Sequence, residues 1–290
     1  MSLIFETAAA FRKQLESNLR THSVKTGENI QRLRRKVAFD RLLARIFTQD
    51  PSPFFLKGGY AMELRVTRAR ATKDMDLTCL KRGNNAKEPI SELILQELQL
   101  LARVNLNDHF IYQIGQPQSD IENAPYGGSR HSVLAVIDNR PFVEFHLDVG
   151  GDFLIDQVEK IPGTNWLNFC GIAAPTILMI SVEQQFAEKL HSYTLPREQI
   201  NTRTKDLIDL ILLLNPKNRA PEVFQYALQR VFRARNTHPL PTFLPDPPLS
   251  WQKPFDTMAA ECGISQNLKS GFTKVSEFYT ALHGIGKSPM

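Results

Sequence analysis

The stretches Lys57–Arg65, KGGYAMELR, and Thr72–Leu77, TKDMDL, contain a glycine pair and two closely spaced aspartates. The apolar run that ends at Lys57 predicts a short strand, and the residues from the glycine pair onward predict a helix. A glycine pair at such a junction lets the backbone approach a ligand closely, and the free N–H groups at the start of the helix can bind a phosphate. Lys57 can add a positive charge to the same phosphates. A tight turn without any ligand also explains the glycines, so the pair alone does not establish a site.

Two carboxylates follow in the next predicted strand. Because side chains alternate along a strand, Asp74 and Asp76 face the same side. Adjacent carboxylates repel each other and are tolerated mainly where they are solvated or bridged by a divalent cation such as Mg²⁺. Asp148, or as a weaker candidate Glu144 on the same face of a later strand, can supply the third acid of a two-metal site. Surface acids without a common role are the alternative.

The rest of the chain predicts an α/β protein of the α+β type with a mixed sheet. Residues 1–50 are predicted to form an N-terminal helical arm, and residues 51–174 a mixed core of strands and helices. From about residue 175 the chain is predicted to be helical, which makes 175–290 a C-terminal helical lobe. Within that lobe the proline-rich segment 238–254 predicts a surface strap or linker, and 204–214 predicts a buried helix.

Two local signals predict the ends of particular elements. Asp138, Asn139 and Arg140 separate two strand patterns and predict a hairpin turn. Ser181, with Gln184 three residues later, is a capping-box pattern that predicts the start of a helix.

Composition and charge narrow the class of protein. No apolar run approaches the roughly 18 residues of a membrane span, and the N-terminus does not have the pattern of a signal peptide, so we expect a cytoplasmic protein without a membrane partner. The 3 cysteines are far apart, which predicts neither disulfides nor a zinc site. The net charge is only +5, but basic residues concentrate in 31–45, 65–73 and 230–235. Such segments fit a polyanion, nucleic acid first, or are solvated faces with no partner.

The combination of these patterns resembles the DNA polymerase β-like nucleotidyltransferase superfamily. Within it, the sequence motifs resemble those of the AbiEii/AbiGii toxin family of type IV toxin–antitoxin systems, which includes the mycobacterial MenT enzymes. The stretches that carry this resemblance are LKGGYAMELR, ARATKDMDL, EQQFAEKLHSY, TRTKDLIDLILL and FRARNTHPLP. The resemblance extends from about Gly27 to Pro248. One difference is the Gly-Gly pair, since many polymerase β-like enzymes have Gly-Ser and thus one more hydroxyl for a phosphate.

The resemblance implies roles for individual residues. The implied catalytic residues are Asp74, Asp76, Asp148, Lys189 and Asp209, the first three as Mg²⁺ ligands. The implied nucleotide-binding residues are Lys57, Gly58, Gly59, Arg130 and Lys189. Without the resemblance, Lys189 could simply extend its charge to solvent beside an apolar helix stripe. Asp209 lies in a mostly apolar helix with Asp206 on the same face, and burial of its charge needs a cation, for which Lys189 is the expected partner.

The resemblance further implies a magnesium-dependent enzyme that transfers an NMP from an NTP to a hydroxyl and releases pyrophosphate. The implied acceptor is RNA, in particular the 3′ end of tRNA, whose modification would block translation. The arginines expected to contact the RNA backbone are Arg34, Arg35, Arg41, Arg45, Arg68, Arg70, Arg233 and Arg235. An antitoxin encoded by an adjacent gene is the implied partner, with or without a stable complex.

Two other functions remain open on the sequence alone. The same chemistry could modify a protein hydroxyl, as in AMPylation, and that reaction needs no basic surface. A nucleotide- or RNA-binding module without catalysis is the other possibility, although a pure binder gains nothing from a costly cluster of carboxylates.

Overall fold

The computed structural model describes residues 5–80, 90–120, 127–151, 155, 157–198, 202–214 and 220–284. The helices in this part of the chain are α1 (Ala8–Thr26), α2 (Ile30–Ile46), α3 (Gly58–Arg65), α4 (Ile90–Ala102), α5 (Val182–Thr194), α6 (Thr204–Leu213), α7 (Pro221–Arg235), α8 (Gln252–Cys262) and α9 (Leu268–Gly284). The strands are β1 (Phe54–Lys57), β2 (Asp74–Cys79), β3 (Ile111–Asp120), β4 (Gly128–Ile137), β5 (Arg140–Gly151), β6 (Val158–Pro162) and β7 (Thr176–Ile180). No helix in these ranges is both long and apolar enough to cross a membrane.

The strands form one mixed sheet in the order β3-β4-β5-β2-β1-β7-β6. The pairs β1–β2, β3–β4 and β4–β5 are antiparallel, whereas β2–β5 and β1–β7 are parallel. The α/β class with a mixed sheet is therefore confirmed. The hairpin between β4 and β5 is also confirmed, since Asp138 and Asn139 both have positive φ, as a tight two-residue turn requires.

The chain divides into two compact units, which we describe separately. The first comprises residues 1–64, 71–153 and 158–179, and the second comprises 65–70, 154–157 and 180–290.

The N-terminal helices belong to the first unit and are not a separate arm. Phe11, Leu15 and Leu19 of α1 are buried in the same apolar core as the sheet residues. The predicted arm over residues 1–50 is corrected accordingly. The sequence does not say which element covers the apolar face of these helices.

The prediction that the chain is helical from about residue 175 is wrong at its start. Residues Thr176–Ile180 form β7, which lies next to β1 in the sheet with Leu56 opposite Met179. Ile177, Met179 and Ile180 of the run TILMI are buried, and a short apolar run has no period that distinguishes a strand from a helix. Ser181 then caps α5, and its Oγ accepts a hydrogen bond from the N–H of Gln184 at 3.2 Å, as the capping pattern predicted.

The second unit is helical and contains the buried helix α6 that the sequence predicted. The proline-rich segment is irregular only in its first part. A short 3-10 helix covers Leu249–Trp251, and α8 begins at Gln252 with Pro254 in its first turn, where proline costs no hydrogen bond.

Candidate active site

Charged side chains form a row across the middle of the sheet. Lys57 of β1 lies opposite Asp76 of β2. Asp76 lies opposite Asp148 of the parallel strand β5, and Asp148 lies opposite Arg130 of β4. Since residues paired across strands share one face of the sheet, two carboxylates stand side by side with a cation on each flank. The fold thus brings together four residues that were predicted from distant parts of the sequence.

A second row lies beside the first. Asp74 is opposite His146, and His146 Nδ1 is 3.4 Å from Asp74 Oδ1. His146 was not predicted to belong to the site, although its position two residues before Asp148 places both side chains on one face of β5. Glu144 is exposed and lies opposite Leu134 of β4, and it precedes the part of β5 that pairs with β2. The register therefore favours Asp148 over Glu144 as the third acid.

Arg130 binds Asp148 through two parallel hydrogen bonds. Its Nε and Nη2 donate to Asp148 Oδ1 and Oδ2 at 2.8 and 2.7 Å. Nη2 is also 3.9 Å from Asp74 Oδ2, so the guanidinium lies near both acids. The hydrogen bond with Asp148 raises the pKa of Arg130 above its ordinary value, which keeps this positive charge fixed at the site.

The glycine pair brings the start of α3 against Asp76. Gly58 has φ +66°, and a Cβ at this position would lie 2.0 Å from Asp76 Oδ2. The N–H of Gly59 donates to the same oxygen at 3.3 Å. The first glycine is thus required both by its backbone conformation and by the space that the carboxylate occupies. The helix N-terminus, with its partial positive charge, faces the acidic row.

Further contacts hold the loop that leads into β2. The side chain of Thr72 lies against Gly59, where a Cβ would come within 2.5 Å of Thr72 Oγ1. The N–H of Thr72 donates to Glu63 Oε1 at 2.7 Å, and its hydroxyl donates to the carbonyl of Asp74 at 3.1 Å. Glu63 in turn accepts a hydrogen bond from Arg32 Nη2 at 2.7 Å. These contacts fix the backbone of Asp74 relative to α3, and sequence patterns alone did not identify them.

The residues of this site fit a divalent cation in their chemistry. The three aspartates offer only oxygen donors, which Mg²⁺ prefers, and the guanidinium of Arg130 already places a positive charge beside Asp148 and Asp74. As they stand, no three His, Cys, Asp or Glu side chains in the described ranges converge into a metal-binding group. Both oxygens of Asp148 are bound to Arg130.

The other predicted catalytic residues lie in the second unit. Lys189 Nζ of α5 is 2.9 Å from Asp209 Oδ2 and 3.1 Å from Asp206 Oδ1, so the expected Lys189–Asp209 pair is confirmed. Arg70 adds two hydrogen bonds to Asp209, at 2.9 and 2.8 Å. Asp206 and Asp209 are fully buried. Burial would lower the pKa of Lys189, but Asp209 and Asp206 outweigh it and raise that pKa.

The charge of Asp209 is stabilised in the same way. Burial would raise the pKa of this carboxyl, but Lys189 and Arg70 lower it below its ordinary value. Both members of the pair are thus charged, and each depends on the other to remain so. Asp206 has one oxygen, Oδ2, that is buried without a hydrogen-bond partner among the described residues.

Two of the arginines expected to contact RNA are buried instead. Arg41 Nε and Arg45 Nη2 are both 2.6 Å from the carboxylate of Asp108, and their side chains are 6% and 1% exposed. These guanidinium groups form an internal ion cluster and have no surface to offer to a phosphate backbone. The prediction for Arg41 and Arg45 is corrected for this reason.

The remaining arginines differ in their surroundings. Three of them form ion pairs with acids within their own unit, namely Arg34 with Glu16, Arg70 with Asp209 and Arg235 with Glu188. Arg68 and Arg233 are exposed. Arg35 of α2 is half-buried, with an Nε that has no hydrogen-bond partner among the described residues. Burial lowers the pKa of Arg35, while Glu63 and Asp74 raise it, so this cation lies within electrostatic reach of the acidic site.

Comparison with known proteins places these features in a family. A search of curated proteins found no match. Among solved structures, the chain is similar to the nucleotidyltransferase toxin MenT4 of Mycobacterium tuberculosis, with 14% identity, a TM-score of 0.53, and 93% of this chain and 98% of that one covered. It is also similar to JHP933 of Helicobacter pylori, with 15% identity, a TM-score of 0.45, and 87% of this chain and 93% of that one covered. At such low identity the MenT4 likeness shows a shared fold.

The family model for the nucleotidyl transferase AbiEii toxin of type IV toxin–antitoxin systems matches residues 41–276. This range includes the acidic rows of the sheet, the glycine junction and the Lys189 cluster. The resemblance seen in the sequence is confirmed, and the chain belongs to the AbiEii nucleotidyltransferase toxin family.

Proposed function

We propose that this protein transfers a nucleoside monophosphate from an NTP to a hydroxyl of an RNA acceptor, with the 3′ end of tRNA as the expected acceptor. One observation carries the proposal, namely the pairing of Asp76 with Asp148 across parallel strands next to the Gly58–Gly59 junction. Paired acids beside a helix N-terminus suit a substrate with a triphosphate and an accompanying cation. An RNA 3′ end modified in this way could not be aminoacylated, which would block translation.

In this proposal, the acidic residues of the sheet bind the cation and the basic residues bind the triphosphate. Asp74, Asp76 and Asp148 would hold Mg²⁺, which supplies the charge that activates the attacking hydroxyl and stabilises the departing pyrophosphate. Lys57 and Arg130, at the two ends of the charged row, would hold the triphosphate and its developing negative charge. The backbone N–H groups at the start of α3 add further hydrogen-bond donors for the phosphates.

The second unit contributes Lys189 and Asp209 as further catalytic residues in this proposal. The ammonium of Lys189 is oriented by Asp206 and Asp209, and Arg70 holds Asp209 in place. A lysine fixed in this way can offer its remaining N–H to a nucleotide phosphate at little entropic cost. We therefore treat Arg70 as a positioning residue in place of the RNA contact expected from the sequence.

For the RNA backbone, we propose contacts by Arg35, Arg68 and Arg233. Arg68 and Arg233 are exposed, and Arg35 is half-buried, so part of its side chain lies at the surface. Such contacts position the acceptor without reading its sequence. We further propose that the protein acts in the cytoplasm, where NTPs and tRNA are found, and is controlled by an antitoxin encoded by the adjacent gene.

The test is a labelling experiment with the purified full chain. The protein is incubated with Mg²⁺, total tRNA and each of the four α-labelled NTPs in turn, beside an Asp74→Ala/Asp76→Ala variant and a sample with EDTA. We expect label to enter tRNA with at least one NTP, and to be absent from the variant and the EDTA sample.

Other outcomes distinguish the alternatives. If label appears on protein and not on RNA, the acceptor is a protein hydroxyl and the RNA part of the proposal fails. If folded protein labels neither substrate, transfer activity itself is contradicted, and a binding module is the better description.

A further inference from the structure

Arg130 binds the carboxylate of Asp148, which the proposed metal site needs as a ligand. Its Nε and Nη2 donate to both oxygens of Asp148, at 2.8 and 2.7 Å. The same Nη2 is 3.9 Å from Asp74 Oδ2. A bidentate pair fixes the plane of the carboxylate as well as its charge. Asp148 therefore cannot ligate a cation in this arrangement without competition from Arg130.

The competition involves charge as well as geometry. A guanidinium and a divalent cation that share one carboxylate repel each other, and this repulsion weakens the binding of both. Arg130 is 39% exposed and Asp148 is 16% exposed, so the pair lies at the surface of the sheet. A pair of this exposure is partly screened by water, and the arginine can change partners without burial of an uncompensated charge.

A triphosphate is the anion best suited to replace Asp148 as the partner of Arg130. The planar fork of arginine binds phosphate oxygens with the same two-point geometry as a carboxylate. Arg130 also stands at the edge of the charged row, directly beside the acids that would receive the cation of the nucleotide. Movement of the Arg130 side chain would thus form an ion pair with the triphosphate and release Asp148 at the same time.

We propose that Arg130 couples nucleotide binding to cation binding. Without substrate it neutralises Asp148, and when an NTP binds, Arg130 transfers to the triphosphate and leaves Asp148 available as a metal ligand. The inference rests on the proposed function, which it deepens by making the acidic site complete only in the presence of nucleotide. Because coupling between two ligands is reciprocal, each ligand tightens the binding of the other by the same factor.

The first experiment measures Mn²⁺ binding without nucleotide. Free Mn²⁺ is followed by electron paramagnetic resonance during titration of the wild type, Arg130→Ala, Arg130→Lys and Arg140→Ala. Arg140 is an exposed arginine at the hairpin end of β5, so its removal matches the charge change without touching the site. We expect Arg130→Ala to bind Mn²⁺ at least about threefold more tightly than wild type. In this variant Mn²⁺ no longer has to displace a partly exposed ion pair, whose energy is of that order. Arg140→Ala should match wild type.

Two further variants sharpen this result. Arg130→Lys keeps the charge but loses the two-point contact, so its affinity for Mn²⁺ should fall between those of wild type and Arg130→Ala. The double variant Arg130→Ala/Asp148→Asn should lose the gain in Mn²⁺ affinity, because the released carboxylate is no longer present. Melting curves of each variant verify that the fold is intact.

The reciprocal experiment uses EDTA and α,β-methylene analogues of the four NTPs, so that no cation takes part. Asp148→Asn releases Arg130 for the triphosphate and should bind at least one analogue more tightly than wild type. Glu144→Gln removes the same charge from the same face of β5 at an exposed position, and it should bind the analogues as wild type does. Arg130→Ala should bind them more weakly.

Three results would overturn the inference. Mn²⁺ binding by Arg130→Ala that is equal to or weaker than that of wild type would mean that Arg130 supports the carboxylates and does not compete for them. Equal analogue binding by Asp148→Asn and Glu144→Gln would exclude a transfer of Arg130. If wild type and Arg130→Ala both bind Mn²⁺ no better than an Asp74→Asn/Asp76→Asn variant, the metal site of the proposed function fails as well. The first two results leave that site intact.

Discussion

The aspartates of the sheet and those of the helical unit have opposite surroundings. Asp74 is 39% exposed and stands beside other carboxylates, whereas Asp209 is fully buried between two cations. In the sheet, like charges are held together by the backbone register and remain open to solvent. In the helical unit, each buried charge is neutralised by a partner. The same residue type is therefore arranged for ligand binding in one unit and for a fixed internal network in the other.

The largest expected effect comes from removal of one carboxylate from the acidic row. Asp148→Asn should lower the rate of nucleotidyl transfer by at least about 10³-fold, because an amide replaces one of three charged ligands of the proposed metal site. Its melting temperature should stay within a few degrees of wild type, since removal of one of several neighbouring like charges costs little stability. Single-turnover transfer to tRNA and thermal unfolding give the two values.

The control for this prediction is Glu144→Gln on the same strand face. It should retain at least about one third of the wild-type rate, because Glu144 has no partner on β2 and no part in the proposed chemistry. Comparable losses in the two variants would contradict the assignment of Asp148 as the third acid.

The second prediction concerns stability in the helical unit. Asp209→Asn leaves Lys189 and Arg70, which are only 15% and 13% exposed, without their shared carboxylate, and it should lower the free energy of unfolding by about 3–5 kcal/mol. Denaturant unfolding measures this change. Asp256→Asn, at an exposed position of α8, is the matched control and should change the free energy by less than about 0.5 kcal/mol.

A third prediction tests the glycine junction. Gly58→Ala should reduce transfer about 10²-fold, because its Cβ would lie 2.0 Å from Asp76 Oδ2 and must displace that carboxylate. Gly27 also has positive φ but has no atom within 4 Å of a built Cβ. Gly27→Ala should therefore cost about 1 kcal/mol of stability and leave the transfer rate unchanged. Equal activity in the two alanine variants would contradict this prediction, because the clash of the new Cβ with Asp76 would then have no effect on transfer.

Sequence alone could predict the parts of this site that depend on local periodicity. The shared face of Asp74 and Asp76 follows from alternation along one strand, and the glycine junction follows from the boundary between a strand and a helix. The register that sets Asp148 beside Asp76 depends on which strands pair, and here the family resemblance supplied what periodicity could not. His146 was missed although the same alternation placed it on the face of Asp148.

The failures came from pairings between distant parts of the chain. Arg41 reads as part of a solvated basic helix face, but its partner Asp108 lies 67 residues away and draws it into the interior. β7 reads as the start of a helical region because a short apolar run has no period that distinguishes a buried strand from a buried helix. In both cases a tertiary contact, absent from any local pattern, determined the outcome.

The smallest expected effect is a difference in pH response between the two units. In the first unit, burial raises the pKa of Asp40 to about 6 from an ordinary 3.8, partly offset by its hydrogen bond with Tyr60. The native state thus binds this proton more readily, so Asp40 contributes stability at low pH that is lost as the pH rises from about 4 to about 6. In the second unit, burial and then Arg235 lower the pKa of His191 to about 3 from an ordinary 6.5. His191 therefore contributes stability above pH 6.5 that is lost as the pH falls toward 3.

Replacement of each group by a neutral residue should remove its part of the pH dependence, with opposite signs. Between pH 4 and pH 6, Asp40→Asn should raise the slope of unfolding free energy against pH relative to wild type, and His191→Gln should lower it, each by an integrated change of about 2 kcal/mol. Denaturant unfolding at three pH values in this window measures both slopes. A change of the same sign in both variants would contradict the assigned protonation states, because a neutral His191 and a protonated Asp40 respond to acid in opposite directions.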